Sequence, residues 1–135
     1  MGLAEHPEQW ELLRSDLDAT LDTAVEEMIR WASPVNYMSR TATQDLELHG
    51  QLIHKGDKVA LLYASANRDE TAFAEPERFD IRRDPNHHLA FGFGPHFCLG
   101  ATLARIELRA IFEVMIRRVG RFELPAQLSG HGRAS

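Results

Sequence analysis

The chain has 135 residues, long enough for one domain with a sizeable core, and its 44% hydrophobic and 26% charged content is ordinary for a globular protein. A formal net charge of −5 offers no bulk attraction to nucleic acid or to an anionic membrane, so neither is expected as a partner. One cysteine excludes an internal disulfide and any metal site built from several cysteines; with no apolar run of membrane-spanning length and no signal peptide at its start, the chain is expected to lack a membrane anchor and to be cytoplasmic.

In chain order, residues 4–14 read as a short helix with Pro7 in its first turn, where a missing N–H is tolerated. Ser15-Asp16-Leu17-Asp18 reads as a connector rich in N-capping residues. A second helix is expected over about 19–31, with Leu21, Val25, Met28 and Ala32 at helical spacing. Pro34 ends it, because proline disfavours the α region for the residue before it. Within this helix Glu27 and Arg30 stand three apart, share a face and can pair. Read alone, that pair is a surface feature of about 0.3–0.5 kcal/mol.

From Val35 to Ser65 the pattern is strand-like, with strands near 35–42, 46–48, 52–54 and 58–63. His49-Gly50 and Lys55-Gly56-Asp57 are turn signals between them, which predicts antiparallel hairpins. Arg40 falls in the first strand and, by itself, reads as an edge charge. Residues 70–90 are irregular, with Pro76 and Pro85 as breakers, and so long a loop in a compact domain is often functional. His87 and His88 are expected to face solvent.

The last helix is expected over about 101–119. Ala104, Leu108, Ile111, Met115 and Val119 form one apolar stripe, and Leu103, Ile106, Ala110 and Val114 another, which predicts deep burial. Arg105, Arg109, Glu113 and Arg117 make the polar stripe at steps of four, which suits pairing of Glu113 with Arg109 and with Arg117. Gly120 is a natural stop, and residues 125–135 read as a tail.

The richest stretch is Phe91-Gly92-Phe93-Gly94-Pro95-His96-Phe97-Cys98-Leu99-Gly100. Three glycines and a proline make it a shaped loop, and it delivers Cys98 to the start of the last helix. Unpaired N–H groups and the helix dipole there favour an anion such as a thiolate. One thiolate suits a haem iron; an inert buried cysteine is the plain alternative.

The spacing of Phe91, Gly94, His96, Cys98 and Gly100 resembles the cysteine-loop signature of the cytochrome P-450 family. Glu27-Met28-Ile29-Arg30 resembles that family's Glu-x-x-Arg motif, and Pro76-Glu77-Arg78-Phe79 its downstream arginine segment. The resemblance implies a mainly α fold with small antiparallel β sheets, corresponding over residues 1–124 to the C-terminal, haem-ligand part of the family's fold and truncated at both ends. It implies haem b as cofactor with Cys98 as the metal ligand, and Phe91, Gly94 and Gly100 in the loop that seats it. Arg40 and His96 would contact the haem propionates, and Glu27, Arg30 and Arg78 would form a structural network. No catalytic residue is identified within the segment. By the same resemblance, the whole enzyme would be a monooxygenase hydroxylating an apolar substrate, such as a sterol or branched lipid, with O2. A ferredoxin or flavoprotein would supply electrons, docking among Arg82, Arg83, Arg105, Arg109 and Arg117. The alternative is a non-catalytic remnant, or a haem-binding fragment without the oxygen-activating distal helix.

Overall fold

A computed structural model describes residues 2–120 of the chain. The tail expected at 125–135 lies outside the described residues. Five helices, α1 (Gly2–Glu5), α2 (Pro7–Ser15), α3 (Leu17–Ala32), α4 (Tyr63–Ala66) and α5 (Ala101–Arg118), surround a mostly irregular stretch between α4 and α5. Four strands, β1 (Tyr37–Thr41), β2 (Leu46–Leu48), β3 (Gln51–Ile53) and β4 (Lys58–Leu62), pair as two separate antiparallel ribbons. The expected fold class, mainly α with small antiparallel sheets, is the one observed.

Local chemistry explains where the elements start and stop. Pro7 opens α2 and so divides the single helix expected over residues 4–14 into two. The expected connector at residues 15–18 contracts to Asp16, because Leu17 already turns inward as the first residue of α3 and packs against the core. Ser33 closes α3 in the left-handed region at φ 38°, donating its N–H to the Ile29 carbonyl at 3.0 Å just before Pro34. His49 and Gly50, both at positive φ, form the tight turn joining β2 to β3, with Leu48 opposite Gln51. β1 and β4 pair from Tyr37 opposite Leu62 to Thr41 opposite Lys58. The segment read as strand through residue 63 instead turns helical there, as α4, with Tyr63 buried.

The core lies where α3 meets α2, α5 and the irregular stretch. Leu13, Leu21, Ala24, Val25 and Ile29 pack there with Phe79, Ile81 and Ile116. Burying each large apolar side chain contributes roughly 1.5–3 kcal/mol. The expectation of deep burial for α5 is corrected. Ala101 and Ile116 are its buried residues, Leu108 and Phe112 pack partly against the core, and Leu103, Ile106, Ile111 and Val114 are exposed. A helix buries a face only where another element covers it, and α3 covers one side of α5. Among the described residues no helix is long and apolar enough to cross a membrane.

Candidate functional site

The site is built on two charge networks that hold the irregular stretch and the cysteine loop against α3. Glu27 and Arg30 occupy the face of α3 turned toward that stretch, and both are fully buried. Arg30 donates through Nε to Glu27 Oε2 at 2.7 Å and through Nη2 to Glu27 Oε1 at 2.8 Å. Nη1 reaches the carbonyls of Asn67 at 2.7 Å and Pro76 at 2.9 Å. Glu27 also accepts the Asp80 N–H at 3.0 Å and the Asn86 amide at 3.0 Å. The pair is therefore an internal tether, not the surface feature its spacing alone suggests.

Arg78 joins this network differently from expectation. Its guanidinium is exposed and pairs with Glu75 at 3.0 Å, while its carbonyl accepts from Arg30 Nη2 at 3.2 Å. The second guanidinium on Glu27 belongs to Arg83, whose Nε donates to Oε2 at 3.2 Å. Arg83 also donates to the carbonyls of Ala74, Glu75 and Arg78 at 2.6, 3.1 and 2.9 Å. A chain bent around Arg83 in this way turns Arg78 outward. Nothing in the spacing of two arginines five apart in an irregular segment shows which one faces in.

The cysteine loop runs from Phe91 to a 3-10 turn at Gly94–His96 and on to Gly100, which caps α5. Gly92 and Gly94 take φ values of 74° and 71°, a region that costs side-chain-bearing residues roughly 1–2 kcal/mol. A Cβ on Gly92 would stand 3.4 Å from the Tyr63 hydroxyl, so the loop is seated closely on α4. The Cys98 N–H donates to the Phe91 carbonyl at 2.9 Å, and the Cys98 carbonyl accepts from Ala101 in the first turn of α5 at 3.2 Å. Cys98 is exposed, not an inert buried thiol. Phe93, Phe97 and Leu99 beside it are also exposed. Arg40 is half-buried in β1, with Nη1 donating to the Ser39 carbonyl at 3.0 Å, and His96 is exposed in the loop.

A second network is centred on the neighbouring residue of α3, Glu26. Glu26 receives Arg105 of α5 in a bidentate pair, Nε at 2.6 Å and Nη2 at 2.9 Å, and receives His88 Nε2 at 3.1 Å. The His88 side chain is 2% exposed, which corrects the expectation that it faces solvent; His87 does face solvent. Burial holds His88 below its ordinary range, with Glu26 opposing that effect. The ring is thus neutral near pH 7, and because Nδ1 accepts the Ala90 N–H at 3.3 Å, its proton sits on Nε2 and points at Glu26. Burial alone would raise Glu26, but Arg105 and then His88 outweigh it and hold the carboxyl low.

The arginines expected to form an open basic surface are largely paired within the chain. Arg83 binds Glu27, Arg105 binds Glu26, Arg109 binds Asp22, and Arg117 binds Glu113 at 3.2 Å. Asp22 thus takes the place on Arg109 that helical spacing assigns to Glu113, because α3 runs alongside α5 there.

Among the described residues no three histidine, cysteine or acidic side chains gather where they could hold a bare metal ion. A single sulfur donor within a rim of exposed phenylalanine and leucine instead suits an apolar metallocycle that brings its other ligands with it. The residues present therefore fit a haem. A family model described as Cytochrome P450 matches residues 16–127, and the chain belongs to the cytochrome P450 family. It is 54% identical over 132 residues to the methyl-branched lipid omega-hydroxylase of Mycobacterium tuberculosis, covering 95% of this chain and 31% of that protein. It is 50% identical over 124 residues to the steroid C26-monooxygenase of the same species, covering 92% of this chain and 31% of that protein. A Mycobacterium marinum cytochrome P450 solved with pseudoionone superposes with a TM-score of 0.85 at 52% identity, over 87% of this chain and 29% of that one. The chain thus spans about a third of the length of these relatives. The family implies a haem cofactor.

Proposed function

We propose that this chain is the haem-ligating segment of a monooxygenase, with the Cys98 thiolate as axial ligand to haem b. The observation that carries the reading is the exposed Cys98 sulfur on a loop shaped by Gly92 and Gly94, at the start of α5. When bound, the haem supplies oxygen-activating redox chemistry, and a thiolate ligand pushes electron density toward O–O cleavage. The chain's own task is to present the sulfur and exclude competing donors. Phe91, Gly94 and Gly100 shape the loop, and Phe93, Phe97 and Leu99 offer the macrocycle an apolar seat. Arg40 and His96 are the cations for the propionates, and a guanidinium matches a carboxylate's planar geometry.

The whole protein would hydroxylate an apolar substrate with O2, using electrons from a ferredoxin or flavoprotein. Two relatives are named for action on a methyl-branched lipid and on a steroid, which supports a lipid or sterol as substrate. A single cysteine suits a reducing compartment, so we place the protein in the cytoplasm. The test is the ferrous–carbonyl absorption spectrum of haem-loaded protein and of its Cys98→Ser variant. The variant is expected to lose the thiolate-type band, and an unchanged band would refute the assignment.

A further inference from the structure

We propose that Glu26 is a positioning residue for the cysteine loop, holding Arg105 and His88 at once so that the two side chains fix Phe91, whose carbonyl accepts the Cys98 N–H. The residue next to it, Glu27, serves the irregular stretch. One step along an α-helix rotates a side chain by roughly 100°, so the two adjacent carboxylates serve two different elements. Glu26 is the point where α3, α5 and the segment leading into the loop converge.

Each link is geometric. The bidentate Arg105–Glu26 pair removes the rotational freedom of the guanidinium. Its central carbon then stands 4.7 Å from the centroid of the Phe91 ring, within cation–π range. The His88 ring stands 5.8 Å from the same ring, held by Glu26 on one nitrogen and by the Ala90 N–H on the other. Phe91 also meets Phe97 edge-on at 6.3 Å, and its carbonyl takes the Cys98 N–H. The path from Glu26 to the sulfur-bearing residue therefore passes through one aromatic ring and one backbone hydrogen bond.

Removing the carboxylate would act on both sides of that ring. Arg105, with its side chain 36% exposed, is free to swing into solvent. His88, buried, loses the charged acceptor that holds its proton, which weakens its grip on the ring's position. Phe91 loses both neighbours, and its bond to Cys98 opens more often. A surface ion pair without this role would change none of these.

The test is amide hydrogen exchange in the full chain without haem, which reads the Cys98 N–H directly and does not depend on Cys98 being a ligand. Glu26→Gln keeps the size and removes the charge. We expect about tenfold faster exchange at Cys98, with the Ser33 amide at the end of α3 exchanging at the parent rate. Arg105→Ala should reproduce the effect and Arg105→Lys should restore part of it. Asp22→Asn, which breaks the neighbouring Arg109 pair, should leave Cys98 unchanged. If Glu26→Gln does not fold, Arg105→Ala carries the same readout from a partly exposed position. Parent-rate exchange at Cys98 in the folded variants, or equal acceleration of Cys98 and Ser33, would overturn the proposal. With haem bound, a proposal resting additionally on Cys98 as ligand, the Glu26→Gln protein should convert faster from the thiolate-type to the thiol-type ferrous–carbonyl band. Should the Cys98→Ser spectrum refute that ligand, the exchange result still judges Glu26.

Discussion

Arg30 holds Glu27 by two parallel hydrogen bonds of 2.7 and 2.8 Å, and neither side chain touches solvent. Ions this deep are tolerated because the remaining polar atoms are also used, by the carbonyls of Asn67, Pro76 and Arg78 and by the donors of Asp80, Arg83 and Asn86. The pair therefore fastens about twenty residues of irregular chain to α3 without any regular element.

Glu27→Ala leaves two guanidinium groups without their carboxylate. Breaking one partner of a buried network costs about 3–5 kcal/mol, so the variant should unfold at much lower denaturant or fail to fold. Urea titration followed by circular dichroism checks this. A midpoint equal to the parent's would show that the network adds nothing.

Arg78 and Arg83 should separate cleanly. Arg78→Ala removes an exposed guanidinium whose partner Glu75 is also exposed, and the carbonyl that the network uses remains. Its cost should stay below about 1 kcal/mol. Arg83→Ala removes a largely buried group that bonds Glu27 and three carbonyls, so its cost should be several times larger in the same titration.

Stability should fall on acidification in a way that names two residues. His88 is held below its ordinary 6.5 by burial, against the pull of Glu26 and with the charge of Arg105 adding to it. The folded protein thus binds that proton more weakly than the unfolded chain does. The contribution is complete above pH 6.5 and is lost as pH falls below that value toward the lowered folded one. Glu26, lowered from its ordinary 4.5, contributes above that value and loses the contribution as pH falls through its folded one. Melting temperature should be flat above neutrality and decline below it. His88→Gln should remove the upper part of the decline, and an unchanged profile in that variant would assign the decline elsewhere.

Replacing Arg40 and His96 together by alanine should weaken haem retention without altering the axial spectrum, since neither supplies the proposed ligand. Haem transfer to apomyoglobin measures this. Transfer at the parent rate would remove both residues from the propionate contacts.

Gly92→Ala should cost more than Gly94→Ala. Both positions carry the strain of positive φ, but a Cβ at Gly92 also meets the Tyr63 hydroxyl, whereas at Gly94 no described atom lies within 4 Å. Thermal melts of the two variants give the comparison.

Features set by near neighbours in the chain were legible from the amino-acid order. Glu27 and Arg30 share a helix face because three residues make most of a turn, and His49-Gly50 makes a tight reversal because both accept positive φ. Cys98 meets the start of α5 because glycines and a proline precede an unbroken helical run. These are short-range constraints, and the spacing alone carries them.

Tertiary structure decided what those residues meet. Arg83, not Arg78, reaches Glu27 because of the path of an irregular segment that has no periodicity to read. Arg109 turns to Asp22 instead of Glu113, and Arg105 to Glu26, because α3 lies beside α5. His88 is buried because Glu26 waits 62 residues earlier in the chain. The outer side of α5 stays exposed because no described element covers it. Amino-acid order determines which faces exist and what chemistry they bear. Which faces meet depends on helix crossings and loop paths, and these are set by burial summed over the whole core, a sum that no local stretch contains.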